Sequence, residues 1–227
     1  MRPAGILRAL IGFAALAAFL AGPALADPQR APGVARLVDA RVLVLPMRVE
    51  VYEHATAGEG VLKSEPTENA RQYVQTGLQT VLGSAPVALV KYEAPSDPER
   101  NERHLEMLHF YTLVRGAILR YQYNDALRLP SKRGRLEWSL GPGAAVLRDD
   151  RRDTGYGLFV DLIERRMSRG WFATSAALGS DRLMGVASLV DLGTGDVLWF
   201  NREHGGSLET PGDTLIMLKR LFGDVPF

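Results

Sequence analysis

Residues 188–201 read Ser-Leu-Val-Asp-Leu-Gly-Thr-Gly-Asp-Val-Leu-Trp-Phe-Asn, and this stretch decides the fold. Two apolar runs flank a turn that contains glycines and polar side chains, which is the pattern of a β-hairpin. The first run extends back to Met184, so the hairpin is predicted over residues 184–201. We predict that Asp191 and Thr194 accept hydrogen bonds from amides of the turn.

The second strand of this hairpin is apolar on both faces. Period-two alternation puts Val197 and Trp199 on one face and Leu198 and Phe200 on the other. We therefore predict a central strand, covered by helices above and below, with Trp199 in the core. The alternative is an exposed aromatic edge that binds a partner strand.

Short apolar runs precede the hairpin. Strands are predicted over residues 41–45, 86–92 and 157–163. Pro46 limits the first of these strands. Beyond it Val49 and Val51 alternate with polar residues, which indicates an extended segment with one face toward solvent.

Three segments have helical periodicity. The first helix is predicted to begin at the N-cap Thr67 and to end at Gly83, and the last begins with Thr210 as cap and Pro211 in its first turn. The longest helix covers residues 99–120 and is predicted to pack centrally against a sheet. Its apolar stripe consists of Met107, Phe110, Tyr111, Val114 and Ile118, widened by Leu108 and Leu119. The buried side of the last helix is predicted to hold Leu215, Leu218, Leu221 and Phe222.

The order of these elements is strand, helix, strand, helix, strand, hairpin, helix. It predicts an α/β (α+β) fold in which helices pack on a mixed β-sheet. Residues 39–227 are predicted to form this single domain. Residues 27–38 are punctuated by proline and glycine and are predicted to be a flexible leader.

The N-terminus has the layout of a secretory signal peptide. A basic start precedes thirteen apolar residues at 9–21, and Ala24 and Ala26 have the spacing of a signal-peptidase site. Thirteen residues are too few for a membrane span, which needs about 20. We predict a signal peptide over residues 1–26 and a periplasmic (or secreted) mature chain. The alternatives are an uncleaved anchor and a buried helix.

Composition excludes several classes of protein. The chain has 227 residues, no cysteine and a formal net charge of +1. Without cysteine it has no disulfide framework, zinc ribbon or thiolate nucleophile. Cleavage would leave 25 basic and 26 acidic side chains, a balance that gives no reason to expect nucleic acid or an anionic membrane as partner. No other stretch of the sequence approaches about 20 consecutive apolar residues, so the mature chain is not predicted to cross a membrane.

Known catalytic motifs are missing from the sequence. It has no G-x-S-x-G, no Walker loop and no H-E-x-x-H. Gly-Pro-Gly at 141–143 lacks the third glycine of a dinucleotide fingerprint. Glu106 and His109 have the spacing of a di-iron motif, but no second such pair exists, and His104 lies too far round the helix to share a metal with His109. Neither a metal nor a cofactor is predicted.

Loop residues offer the one route to an active site. His54 and His204 each lie beside a glutamate, and Asp149 and Asp150 lie in a mixed-charge loop. Convergence of two or more of these side chains in a pocket would indicate an envelope hydrolase. Without it, the mixed-charge loop and the basic patch at 132–135 are predicted to be solvated surface.

The hairpin sequence also carries a resemblance. Residues 190–201 (Val-Asp-Leu-Gly-Thr-Gly-Asp-Val-Leu-Trp-Phe-Asn), with the signal peptide and an early Val-Leu-Val-Leu-Pro strand, resemble uncharacterised proteobacterial periplasmic proteins. More distantly, most of residues 40–222 resemble the periplasmic α/β domain of curli-secretion (CsgG-like) lipoproteins and the N-terminal domain of TolB. The resemblance implies an envelope accessory or scaffold domain and brings no catalytic residue. The chain departs from those lipoproteins because it has no cysteine to carry a lipid.

We therefore predict a non-enzymatic periplasmic (cell-envelope) accessory or assembly protein with an envelope protein as partner. Two alternatives stay open. One is the envelope hydrolase with a loop-assembled site, and the other is a small-ligand carrier, which would show as one enclosed apolar pocket. The sequence names no catalytic, cofactor-binding or metal-binding residue, and it leaves the oligomeric state open.

Overall fold

The structure, a computed structural model, describes residues 28–54, 60–148, 153–167 and 183–227. The strands are β1 Gln29–Arg30, β2 Ala40–Val44, β3 Arg48–His54, β4 Val61–Leu62, β5 Val87–Lys91, β6 Tyr156–Met167, β7 Leu183–Asp191 and β8 Val197–His204. The helices are α1 Ser64–Leu82, α2 Pro98–Tyr121 and α3 Pro211–Leu221, with short 3-10 helices at Asp125–Leu127, Pro130–Lys132 and Pro142–Leu147. The predicted α/β fold with one mixed sheet is confirmed.

Strand β6 lies at the centre of the sheet. On one side β7 pairs antiparallel with it, followed by β8 and the two-residue β1. On the other side β2 and β3 both run parallel to it, one after the other. Strand β5 pairs parallel with β2, and β4 pairs antiparallel with β3. Because the connections through α1 and α2 join parallel strands, they pass over the faces of the sheet.

Pro46 separates β2 from β3. Val44 lies opposite Leu158 of β6, and Arg48 lies opposite Asp161. The chain between Val44 and Arg48, which contains Pro46, is therefore one residue longer than the segment of β6 that it faces. Proline has no N–H for the ladder, and the chain bulges out there. The predicted end of the first strand at Pro46 is thereby confirmed.

Two apolar layers form the core, one on each face of the sheet. The layer under α1 and α3 includes Val74, Leu162, Trp199 and Met217. The layer under α2 includes Ile118, Phe159 and Phe200, among other side chains. Tyr111 of α2 stacks on Phe159 in that second layer, with ring centroids 3.7 Å apart.

A β-bulge in β8 changes the predicted faces of the hairpin. Val197 pairs with Val190 and Trp199 pairs with Leu189, so Leu198 has no partner of its own. The extra residue breaks the alternation, and Val197 packs in the α2 layer, whereas Trp199 packs in the α1 layer. The prediction that these two side chains share a face was wrong. Strand β8 is also not central, because only β1 lies beyond it.

The turn of the hairpin is built as predicted. The Asp191 carboxylate accepts from the amides of Gly193 (2.7 Å) and Thr194 (3.1 Å), and the Thr194 hydroxyl accepts from the Asp196 amide (3.2 Å). Gly195 has φ of 82°. A Cβ at Gly195 would lie 2.0 Å from the carbonyl oxygen of Gly141, so the turn packs directly on that backbone.

Gly195→Ala is expected to cost more than about 2 kcal/mol of unfolding free energy. A left-handed non-glycine residue alone costs about 1–2 kcal/mol, and the Gly141 backbone would also have to move. Gly193→Ala is the matched control, because the nearest atom to its Cβ would be the Asp191 carboxylate at 3.1 Å, a side chain that can adjust. Urea unfolding of both variants measures the difference, and equal stability would contradict the packing of the turn on Gly141.

The ends of the helices differ from prediction in one place. Helix α1 begins at Ser64, and the hydroxyl of Thr67, predicted as its N-cap, instead accepts from the Val51 amide at 3.0 Å. This buried contact ties the first turn of α1 to β3. At α3 the prediction is confirmed, since the Thr210 hydroxyl accepts from the Asp213 amide at 3.1 Å.

Helix α2 packs through polar side chains more than the sequence predicts. Its buried residues are His104, Tyr111, Arg115 and Ile118, whereas Phe110, predicted in the buried stripe, is 43% exposed. Tyr111 accepts a hydrogen bond from the Ser188 hydroxyl at 2.9 Å, and Arg115 forms an ion pair with Asp161. These contacts with the sheet determine which side of α2 faces it. The spacing of apolar residues in the sequence does not predict such polar contacts.

Part of the predicted leader lies on the sheet. Gln29 and Arg30 pair with β8, and the Leu37 amide donates to the carbonyl oxygen of Pro226 at 2.9 Å. Without β1, strand β8 would be an edge strand with N–H and C=O groups that no neighbouring strand uses. Strand β1 forms hydrogen bonds with these groups, which accounts for its place on the sheet.

Candidate functional site

A cleft of about 480 Å³ opens at the carboxyl ends of β2 and β5. Parallel strands end at the same edge of a sheet, and in open α/β sheets this edge is where ligands bind. The bulge at Pro46 forms one wall and α1 forms the other. The lining consists of Val44, Leu45, Pro46, Met47, Gln75, Leu78, Gln79, Leu82, Leu89, Lys91, Tyr92 and Leu158.

The polar groups of the cleft lie at its rim. Gln75 and Gln79 are exposed and stand one turn apart on α1. Lys91 is the one charged side chain of the lining. Apolar walls with amide side chains at the rim suit an apolar group that carries a hydrogen-bond acceptor.

Tyr92 connects the cleft to α2. Its hydroxyl lies 3.0 Å from Nδ1 of the buried His104. Burial raises the pKa of Tyr92, and burial, followed by the positive charge of Arg100, lowers the pKa of His104. Both shifts favour the neutral forms, so this pair holds the end of β5 against α2 without a charge.

The structure does not bring the two loop histidines together. His54 ends β3 and His204 ends β8, and β6 and β7 lie between them. Three strand spacings separate the two side chains by about 14 Å or more. Asp149 and Asp150, the other members of the hypothetical hydrolase site, lie outside the described residues.

The remaining candidate residues are scattered over the surface. Glu106 and His109 are exposed on α2. Over the ranges that the structure describes, no three His, Asp or Glu side chains lie close enough to hold a metal ion. In the basic patch, the Lys132 ammonium lies over the ring of Trp138 at 4.9 Å, and Arg135 forms an ion pair with Glu137 at 2.9 Å.

Sequence reasoning did not single out the cleft. Its residues belong to four separate segments, and each of them reads as ordinary core or helix surface. A signal was present, however: a buried strand ends at Pro46, and the strand-helix-strand order places the carboxyl end of the next strand beside it.

Comparison with solved structures finds distant similarities. No protein-family model and no curated protein matches the chain. The PelC dodecamer from Paraburkholderia phytofirmans is 12% identical, covering 88% of this chain and 98% of that one, with a TM-score of 0.36. The LpoB C-terminal domain from Salmonella enterica is 14% identical over 77% and 87% of the two chains, with a TM-score of 0.28. The hypothetical protein CT253 from Chlamydia trachomatis is 12% identical over 83% and 94%, with a TM-score of 0.33.

Similarity at this level establishes neither a family nor a function. None of these three structures is described as CsgG-like or as TolB, so that resemblance stays a prediction. Within the described part of the chain, no helix has the length and apolar character that a membrane crossing requires.

Proposed function

We propose that this chain is a non-enzymatic accessory protein of the cell envelope that binds an apolar segment of an envelope protein in the cleft between α1 and strands β2 and β5. The cleft itself is the observation that carries the proposal, because residues of α1, β2, β5 and β6 build it together with the bulge at Pro46. It is partly open to solvent, so a segment of another protein can enter it and continue outside it.

A small-ligand carrier is the second candidate, and the size of the cleft favours it. Small-molecule sites have volumes of about 300–1,000 Å³, and the cleft has about 480 Å³. Such sites bury most of the surface of their ligand, whereas this cleft is only partly enclosed. The partial enclosure therefore supports the protein partner over the carrier.

Gln79→Trp tests the cleft, because an indole at this exposed rim position fills it. Thr76→Trp is the matched control: Thr76 is exposed on the same helix and does not line the cleft. We expect an envelope protein that co-purifies with the exported chain to be reduced at least tenfold by Gln79→Trp and retained by Thr76→Trp. Equal retention by both variants, with unchanged thermal unfolding, would exclude the cleft as the binding site.

Export is the second part of this proposal. We expect mass spectrometry of the chain recovered from the periplasm to show an N-terminus at Asp27, because Ala24 and Ala26 present the small side chains that a signal peptidase needs. Ala26→Leu should block processing and leave the longer chain. Recovery of the full-length chain from the cytoplasm would contradict the compartment and, with it, an envelope partner.

A further inference from the structure

The end of α2 and the segment that follows it are rich in cations. Residues 120–138 contain five cationic and two acidic side chains, a net charge of +3, so the rest of the chain, at a total of +1, carries −2. The five cations are Arg120, Arg128, Lys132, Arg133 and Arg135. The net charge of the whole chain hides this local concentration of positive charge.

Contacts within the segment hold these cations on one surface. The side-chain amide of Gln122 donates to the carbonyl oxygen of Gly134 at 2.8 Å, which joins the end of α2 to the later part of the segment. The Arg128 guanidinium lies 4.0 Å from the position that a Cβ of Gly134 would take. Eight of the ten residues at 124–133 are exposed and the other two are half-buried, so a broad partner can reach the segment.

Three cations of this region lie over aromatic rings. The pairs, with the distance from the cation to the ring centre, are Arg120 and Tyr121 (5.6 Å), Lys132 and Trp138 (4.9 Å), and Arg202 of β8 and Tyr123 (4.5 Å). Such contacts restrict the motion of the long side chains, which lowers the entropy that they lose on binding a partner. Residues 120–138 together with Arg202 are called the basic surface below.

Only two of the six cations of the basic surface have an acidic partner within the described part of the chain. Arg128 pairs with Asp125 at 2.5 Å, and Arg135 pairs with Glu137 at 2.9 Å. The other four cations are Arg120, Lys132, Arg133 and Arg202. Their charges are not neutralised by a neighbouring carboxylate and therefore attract an anionic partner.

An exposed apolar side chain lies among these charges. Leu127 is 40% exposed and directly precedes Arg128. Cations beside an exposed leucine and aromatic rings suit a membrane that contains anionic lipids, because the charges attract the headgroups while the leucine enters the lipid. Single-stranded nucleic acids instead stack their bases on aromatic rings. In the basic surface a cation already covers one face of each of the three rings.

We propose that the basic surface binds the anionic headgroups of a lipid membrane, with Leu127 inserted between them. Helix α2 separates this surface from the cleft. Tyr92 of the cleft contacts His104 near the start of the helix, and the helix rises about 24 Å from His104 to Arg120. Binding to the membrane therefore leaves the cleft accessible, and it does not depend on what the cleft binds.

Sedimentation with lipid vesicles tests the proposal. The chain from residue 27 onward is used, because it contains every described residue and lacks the apolar residues 9–21, which could bind lipid themselves. We expect binding to vesicles of phosphatidylglycerol and phosphatidylcholine in equal amounts, and at least tenfold weaker binding to phosphatidylcholine alone. Raising the salt concentration from about 0.05 M to about 0.5 M should also weaken binding at least tenfold, because salt screens exposed charges. Equal binding to both kinds of vesicle, or binding to neither, would overturn the proposal.

A charge-matched pair of triple variants tests the location of the binding surface. The first variant combines Arg120→Gln, Arg128→Gln and Arg133→Gln. The control combines Arg71→Gln, Arg103→Gln and Lys219→Gln, at exposed positions on α1, α2 and α3. Both variants lose three positive charges, so a difference between them comes from position alone. We expect the first to bind the anionic vesicles at least tenfold more weakly than the control does. Equal weakening would contradict the basic surface as the binding site.

Leu127→Ser distinguishes a membrane from a soluble polyanion, because it keeps every charge and removes the apolar side chain. We expect at least threefold weaker binding to the anionic vesicles, with unchanged thermal unfolding. Leu113→Ser is the control, since Leu113 is 70% exposed on α2 outside the basic surface, and it should bind as the wild type does. Vesicle binding that Leu127→Ser leaves unchanged, or tighter binding to a single-stranded oligonucleotide than to the vesicles, would overturn the membrane as the partner.

Discussion

Trp199→Ala is expected to lower the free energy of unfolding by about 3–5 kcal/mol, a large share of the stability of a typical domain. Trp199 has no exposed surface and stacks on Phe222, with ring centroids 6.1 Å apart. Its indole N–H has no hydrogen-bond partner among the described residues, so the side chain contributes by packing alone. Alanine would leave a cavity between β8 and α3. Urea unfolding, or loss of the folded protein during expression, measures the effect.

Trp138→Ala is the matched control for this prediction. Trp138 is half-buried on the surface under Lys132, so its removal leaves no closed cavity and should cost less than about 2 kcal/mol. A Trp199→Ala variant that keeps its stability and loses a binding partner would show that Trp199 is an exposed anchor, and the position of β8 in the fold would then be wrong.

Arg115→Met is expected to cost about 3–5 kcal/mol, because it leaves Asp161 without its partner. The two side chains form an ion pair between α2 and β6, and each is 10% exposed. Burial raises the pKa of Asp161, and the positive charges of Arg115 and Arg48 oppose this rise. Removing Arg115 therefore raises that pKa further. Chemical unfolding of the variant at pH 7 measures the loss.

The loss should also depend on pH, and its sign follows from the raised pKa of Asp161. A carboxyl whose pKa is higher in the folded state binds its proton more tightly there. Its contribution to the stability of the fold is fully present at pH values below the pKa of the unfolded chain. This contribution is lost as pH rises through the pKa of the folded state. The deficit of Arg115→Met relative to the wild type should therefore be smaller at pH 4.5 than at pH 8. Adding Asp161→Asn should remove this dependence.

Arg103→Met is the control on the same helix. Arg103 pairs with Glu99 at 2.8 Å, and both side chains are largely exposed, so its loss should cost less than about 0.5 kcal/mol. A similar cost for Arg103→Met and Arg115→Met would mean that the Arg115–Asp161 pair does not hold α2 on the sheet.

Local chemistry in the sequence was sufficient to predict the hairpin and its turn. Asp191 and Thr194 bond amides two or three residues away, and Thr210 caps the helix that follows it directly. Such contacts join neighbours in the chain, so residue type and spacing predict them. The prediction from neighbouring residues was wrong at Thr67. Its hydroxyl accepts a hydrogen bond from the amide of Val51, which lies sixteen residues away in the sequence.

The sequence by itself determined the order of strands and helices, the end of the first strand at Pro46 and the burial of Trp199, because periodicity, proline geometry and apolar surface act along the chain. Tertiary structure alone decided the bulge at Leu198, the rotation of α2 through Arg115 and Asp161, and the cleft. Each of these arises where segments far apart in sequence meet: the register of β7 against β8, a charge on a helix against one on a strand, and the ends of two parallel strands beside α1. Pairings of this kind depend on which segments become neighbours in space, and no local pattern records that choice.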